Sequence, residues 1–333
     1  MHCMMKSLQL SFGTLLTILF LYHCGSPADQ SSSLSDESAI DAISSLSSNS
    51  SSAICDTTQG HRRYCNQIFA ESDISVQTLV YSTALNEKTG QPENLLLDLY
   101  MPKDDAVTDR PIMFFGHGGG GKRGDGLGWC DHILGVTGYV CADIDYRGGG
   151  SVNGADGWEE KLGLTDFQAA VRWARANAKK YGIDPNKVFA MGESLGAIAA
   201  VQATITANNL DDSYFNDTYV NKSNKKQPSW TCGAVTISGA VTNQVMPMLD
   251  KYDSNAFMFH GEKDHTVDIR QATLTYNNMI RLDIPSTLTL FDIGHKLSEN
   301  FTPEIAADVI PQLYNQFMNV GCPLAYTGIQ KIQ

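Results

Sequence analysis

Six short, nearly continuous apolar runs, each followed by a stretch of helical character, constrain this chain more than any other feature. They are "PIMFFG" (111–116), "GYVCADIDY" (138–146), "NKVFAMG" (186–192), "GAVTISG" (233–239), "NAFMFHG" (255–261) and "STLTLFD" (286–292). A strand that is apolar on both sides must be covered on both sides, and a helix between successive strands carries the chain back for parallel pairing. The expected fold class is therefore α/β: a mostly parallel, doubly wound sheet flanked by helices. Two earlier runs, "VQTLVYS" (76–82) and "NLLLDLYMP" (94–102), have strand character without an intervening helix and should pair antiparallel.

Helical periodicity fills the intervals. "TDFQAAVRWARANAKKYG" (165–182) carries an apolar stripe, with Thr165 as its expected cap, lysines in its last turn and Gly182 at its end. "ESLGAIAAVQATITA" (193–207) is apolar nearly all round and should be buried. "VDIRQATLTYNNMIRLD" (267–283) and "PEIAADVIPQLYNQFMN" (303–319) are amphipathic and should cover opposite faces of the sheet. Two long polar stretches, 147–164 and 208–230, interrupt the alternation as loops too short to form a lid domain.

The ends set the domain boundaries. An apolar stretch from Leu8 to Tyr22 behind Lys6 has the layout of a secretory signal peptide and is short for a spanning helix. Residues 1–24 are expected to be this leader. "LYHCGS" around Cys24 resembles a bacterial lipoprotein signal, with cleavage close by and no lipid as the other reading. Residues 25–53 are serine-dominated and too poor in apolar groups to offset the ordering of their backbone, so they are expected to be a tether. Residues 54–333 then form one catalytic domain. The protein is expected to be exported, either secreted or held at a membrane.

Charge narrows the partners. A net charge of −12 over 333 residues, with no basic run beyond "NKSNKKQ" (221–227), lacks the footprint that phosphate binding needs, so nucleic acid is excluded. Beyond the leader stand Cys55, Cys65, Cys130, Cys141, Cys232 and Cys322. An even number in an exported chain favours disulfides, and Cys55 with Cys65 is the easiest pair; Cys141, in an apolar run, reads alternatively as a free buried thiol. Sequons occur at Asn216, Asn221 and Asn300.

The chemistry lies at strand ends. "MGESLGA" (191–197) is a G-x-S-x-G motif between a strand and a buried helix, which holds Ser194 on a tight turn above the sheet while Gly192 and Gly196 leave room for the bent backbone. A serine hydroxyl needs a base to take its proton and an acid to orient that base. Asp264, in "FHGEKDHTVD" (259–268), and His295, in "FDIGHKLSE" (291–299), each follow a strand and come in the order Ser, Asp, His. Glu262 and Asp268 compete as the acid, and His260 and His265 as the base. Glu193 is read as a structural or tuning carboxylate.

The set "HGGGG" at His117, "GESLG" at Ser194, "HGEKDHTV" at Asp264 and "GH" at His295 resembles the α/β-hydrolase serine esterases and lipases, in particular the HGGG-bearing carboxylesterase group that includes the hormone-sensitive-lipase-like enzymes. The resemblance implies attack by Ser194 on an ester carbonyl. Its oxyanion would be held by the amides of Gly118, Gly119 and Leu195, with Gly120 the nearest substitute, and His117 would brace the loop. No metal or organic cofactor is implied. Trp129, Tyr146 and Trp158 stand near strand ends and are expected either to line a substrate pocket or simply to pack. Small esters are the expected substrates, esters linked to a polymer the alternative.

Overall fold

The computed structural model describes Cys55 and residues 62–322, apart from 127, 149–157 and 208–214; the leader, Cys24 and the serine-rich tether lie outside the described residues. The described residues all belong to one compact unit, Leu46–Gln333. Its centre is an eight-stranded sheet: β1 (Ile74–Leu85), β2 (Pro92–Pro102), β3 (Arg110–Gly116), β4 (Val140–Ile144), β5 (Ile183–Glu193), β6 (Ala234–Ile237), β7 (Ala256–Gly261) and β8 (Thr287–Phe291). The order is β1-β2-β4-β3-β5-β6-β7-β8. β2 pairs antiparallel with β1 and β4, and every pairing from β4 onward is parallel, as the unbroken apolar runs require.

Among the described residues four α-helices cover the sheet: α1 (Trp158–Tyr181), α2 (Leu195–Ile205), α3 (Ile269–Arg281) and α4 (Ser298–Asn315). Side chains alternate across each strand and divide the core into two layers. Ile112, Phe114, Val140, Ala142 and Ile144 meet α1, α2 and α3 on one face, while Met113, Phe115 and Cys141 meet α4 and the helical turns at 129–137 on the other. The amphipathic segments at 267–283 and 303–319 thus lie on opposite faces, and 195–205 is buried as its composition demands.

One expectation changes and two open points are decided. Thr165 does not cap α1, which starts at Trp158; its hydroxyl turns inward and donates to the Leu162 carbonyl at 3.0 Å. Leu162 and Leu164 extend the apolar stripe backwards, so burial recruits the last part of the expected loop, from Trp158, into helix. Cys141 is not a free thiol. β4 turns it toward the helical turn at Cys130, and the two form a disulfide, beside the expected Cys55–Cys65 and a third between Cys232 and Cys322. The sequon at Asn221 is closed, because its side chain is buried and donates to Asp166 at 2.7 Å, whereas Asn216 and Asn300 are exposed. Asp166 also receives Arg147 in a two-pronged buried ion pair, Nε at 2.9 Å and Nη2 at 2.8 Å, which fixes the end of β4 to α1.

Candidate active site

Gly116 at the end of β3 and Gly192 near the end of β5 are paired in register, so the loops that follow these two strands emerge side by side. The chain order of the sheet reverses at β3, where open α/β sheets form their binding crevice. After β5 the chain bends at Ser194, whose φ of 52° and ψ of −119° are strained for a non-glycine residue. The bend is held by the Ser194 amide, which donates to the Ile237 carbonyl at 2.8 Å. It also requires its two glycines: a Cβ on Gly192 would lie 2.4 Å from the Gly196 backbone, and one on Gly196 would lie 2.2 Å from the Gly116 oxygen.

His295 follows β8 and Asp264 follows β7. His295 Nε2 lies 2.8 Å from the Ser194 hydroxyl, and Nδ1 lies 2.8 Å from Asp264 Oδ2. A carboxylate only accepts, so Nδ1 carries the proton and Nε2 is left to accept from the serine. Asp264 is 1% exposed, and its other oxygen accepts the amides of Thr266 at 2.8 Å and Val267 at 3.0 Å. The rival carboxylates are elsewhere: Asp268 caps α3 and pairs with Arg270, and Glu262 is exposed. His265 is exposed as well, while His260 is buried against Asp264 rather than at the serine. The loop bearing His295 is pinned through its backbone, because the His295 carbonyl accepts the Ser238 hydroxyl at 2.9 Å from the end of β6.

The glycine loop after β3 reaches the serine from its other side. A Cβ on Gly118 would come to 3.6 Å from Ser194 Cβ, and one on Gly119 to 3.8 Å from the Leu195 side chain, both ordinary contacts. The protein itself therefore does not require glycine at these two positions; the free space beside the serine does not belong to any protein atom. Gly120 is glycine for its φ of +79°, in a turn closed by the Gly121 amide on the Gly118 carbonyl at 3.0 Å. Among the described residues no protein acceptor takes the amides of Gly118, Gly119 or Leu195. Leu195 opens α2, where amides have no partner within the helix and the helix dipole favours negative charge.

His117 braces this loop. Its Nδ1 donates to the Gly118 carbonyl at 2.8 Å, its ring stacks on Tyr146 at 4.7 Å between centroids, and its carbonyl accepts the Tyr146 hydroxyl at 2.6 Å. Tyr146 thus serves the loop, and its buried ring also borders a cleft of about 330 Å³, which Asn86, Glu87, Asn94, His117 and Lys122 line as well. Trp129 does not line this cleft. Its side chain is 0% exposed and turned into the second core layer, because the helical turn after Gly128 points it beneath the sheet. Trp158 opens α1, and its side chain lies outside the described residues.

Sequence reasoning did not find the contact of His260 with Asp264, nor the buried carboxyl of Asp143. Asp143 Oδ2 accepts the Gly124 amide at 2.8 Å and so ties the glycine loop to β4. Its signal was a charged residue inside an apolar strand run.

Solved structures share this architecture. Thermogutta terrifontis esterase 2 phosphorylated by paraoxon superposes with a TM-score of 0.56 at 19% identity, covering 73% of this chain and 94% of that one. A truncated carbohydrate esterase from gut microbiota gives 0.55 at 19%, covering 74% and 98%. The fold is that of the α/β-hydrolases, and its solved neighbours are esterases. Within that class, residues 97–235 match the BD-FAE family. Among curated relatives, fumonisin B1 esterase of Sphingopyxis macrogoltabida is 30% identical over 159 residues, 44% of this chain and 28% of that protein. Esterase LipC of Mycobacterium tuberculosis is 33% identical over 117 residues, 34% and 27%. The chain spans less than a third of the length of these two relatives.

Proposed function

We propose that the protein is an exported serine carboxylesterase that hydrolyses carboxylic esters through an acyl-enzyme. The observation that carries this reading is the unbroken chain from the Ser194 hydroxyl through His295 to Asp264, 2.8 Å at each link, beside three amides that no described residue occupies. In this reading His295 takes the serine proton as the Ser194 oxygen adds to the ester carbonyl. The amides of Gly118, Gly119 and Leu195 hold the oxygen that becomes negative. Each such donor contributes roughly 3 to 4 kcal/mol to the barrier reduction in serine hydrolases. His295 then protonates the departing alcohol, and afterwards takes a proton from the water that releases the acid. Three disulfides among the described residues suit an oxidising compartment, which supports export; attachment through a lipid on Cys24 is part of the same proposal.

A second reading concerns the alcohol side of the ester. The cleft beside the oxyanion loop is lined mainly by amide and charged side chains, which favours a hydroxyl-rich alcohol, such as a polymer-linked ester, over an alkyl one. The test is a panel of p-nitrophenyl esters from acetate to palmitate, alongside acetylated sugars, with the wild type and Ser194→Ala. Activity that disappears in the variant is expected. Activity that survives it, or a wild type inactive on the whole panel, refutes the esterase reading.

A further inference from the structure

Asp264 Oδ2 faces two imidazoles. One is His295 at 2.8 Å; the other is His260, at the end of β7, whose Nε2 lies 3.2 Å away. The second ring is 0% exposed, and the proposed reaction gives it no task. Its Nε2 also lies 2.8 Å from the Val267 carbonyl. A carbonyl only accepts, so Nε2 carries a proton that it donates to Val267, and the Asp264 carboxylate lies beside that N–H at 3.2 Å. Burial pushes the ring below the ordinary histidine range, and the charge of His295 acts the same way; together they outweigh the Val267 and Gly239 carbonyls and Asp264, which favour the charged ring. The ring therefore favours its neutral form, with the Nε2 proton directed at the Val267 carbonyl beside Asp264.

We propose that His260 is a positioning residue of the active site, whose Nε2–H holds the Asp264 carboxylate in the orientation that His295 requires. Asp264 has two amides donating to Oδ1, the His295 imidazole donating to Oδ2 at 2.8 Å, and the His260 N–H alongside Oδ2 at 3.2 Å. Packed in this way in a buried site, the carboxylate is favoured in the orientation it holds. The same proton ties the Val267 carbonyl back to β7, so the turn bearing Asp264 is clasped between a strand and the start of α3. A site supported from a regular element keeps its geometry better than one left to a loop. The inference rests on the esterase reading for its kinetic consequence, though not for the contact itself.

Three substitutions separate a donor from a filler. His260→Gln places an N–H near the position of Nε2, His260→Asn is too short to reach it, and His260→Leu removes it at similar volume. On p-nitrophenyl acetate, kcat is expected to fall roughly 10- to 100-fold in the Asn and Leu variants, the worth of a hydrogen bond to a charged group, with KM nearly unchanged. The Gln variant should recover most of that loss. An Asp264 short of one donor pulls more strongly on the His295 proton, so the acid limb of kcat/KM should move to higher pH in the Asn variant and stay in place in the Gln variant. Equal losses in the Gln and Asn variants, or an Asn variant with wild-type kcat and an unmoved limb, would overturn the proposal. Should the Leu variant not fold, the Gln and Asn pair decides alone. The downfield proton resonance of the His295–Asp264 hydrogen bond reads the contact without any substrate: it should shift in the Asn variant only, and an unshifted signal refutes His260's role even if the wild type proves inactive on esters.

Discussion

Asp143 makes stability depend on pH in a direction opposite to that of an ordinary surface carboxylate. Its side chain is 2% exposed on the face of β4 that meets the second core layer, and its Oδ1 has no hydrogen-bond partner among the described residues. Burial pushes its pKa from 3.8 up to about 7; the neighbouring Asp98 and Asp145 add to the rise, while the Gly124 amide and Arg123 oppose it. A carboxyl whose folded pKa exceeds its unfolded one is bound to its proton more tightly in the native state. Its contribution is therefore intact below pH 3.8, declines as pH rises toward 7, and is fully lost above that. A rise of about 3 units at 1.36 kcal/mol each corresponds to about 4 kcal/mol, of which about 3 kcal/mol falls between pH 4.5 and pH 8.

Asp143→Asn removes the titration while keeping an oxygen for the Gly124 amide. Urea unfolding of both proteins at pH 4.5, 6 and 8 isolates this group, because all others titrate in both. The difference in unfolding free energy, variant minus wild type, should grow by about 3 kcal/mol in favour of the variant from pH 4.5 to pH 8. A difference that stays level across this range would mean that Asp143 is charged in the folded protein and that burial does not control it. Because the same carboxyl holds the Gly124 amide, ester turnover in the wild type should also lose its tolerance to heat above pH 7 sooner than in the variant.

The glycines of the site should separate into two kinds. Gly196→Ala forces a methyl group to 2.2 Å from the Gly116 oxygen and should cost about 3 kcal/mol by thermal or urea unfolding, with activity lost as the elbow shifts. The Cβ of Gly119→Val meets the Leu195 side chain at an ordinary 3.8 Å, and the variant should fold with a near-normal melting temperature while its ester turnover disappears; surviving turnover would remove Gly119 from the oxyanion site. Arg147→Met leaves Asp166 buried with its charge unmatched by any cation in contact, and should cost about 3 to 5 kcal/mol by urea unfolding.

The features that could be read from the sequence and those that could not differ in the physics that decides them. Ser194, Asp264 and His295 were legible because each sits just beyond the carboxyl end of a strand, and parallel strands bring those ends together whatever the details of the loops. Trp129 was not: it stands midway between β3 and β4, in a helical turn far from the end of either strand along the chain. Whether its ring faces a cleft or the core depends on how the helical turn after Gly128 is rotated, and no periodicity in six residues fixes that. Thr165 carries a true capping signal, but the helix began seven residues earlier because Leu162 and Leu164 had a core to enter. The partner of Cys141 followed from which face of β4 it occupies, a consequence of sheet order rather than spacing along the chain. His260 is the instructive case. It lies four residues before Asp264 and competes as a base by sequence, yet it sits inside the end of β7, against Asp264. That position is the reason it can serve: a residue on the strand is held still, and the turn folds the carboxylate back onto it. Chain order singled out His295, which meets Ser194, yet it carried no information about which neighbouring histidine would lie against the carboxylate, because that depends on the path of one turn.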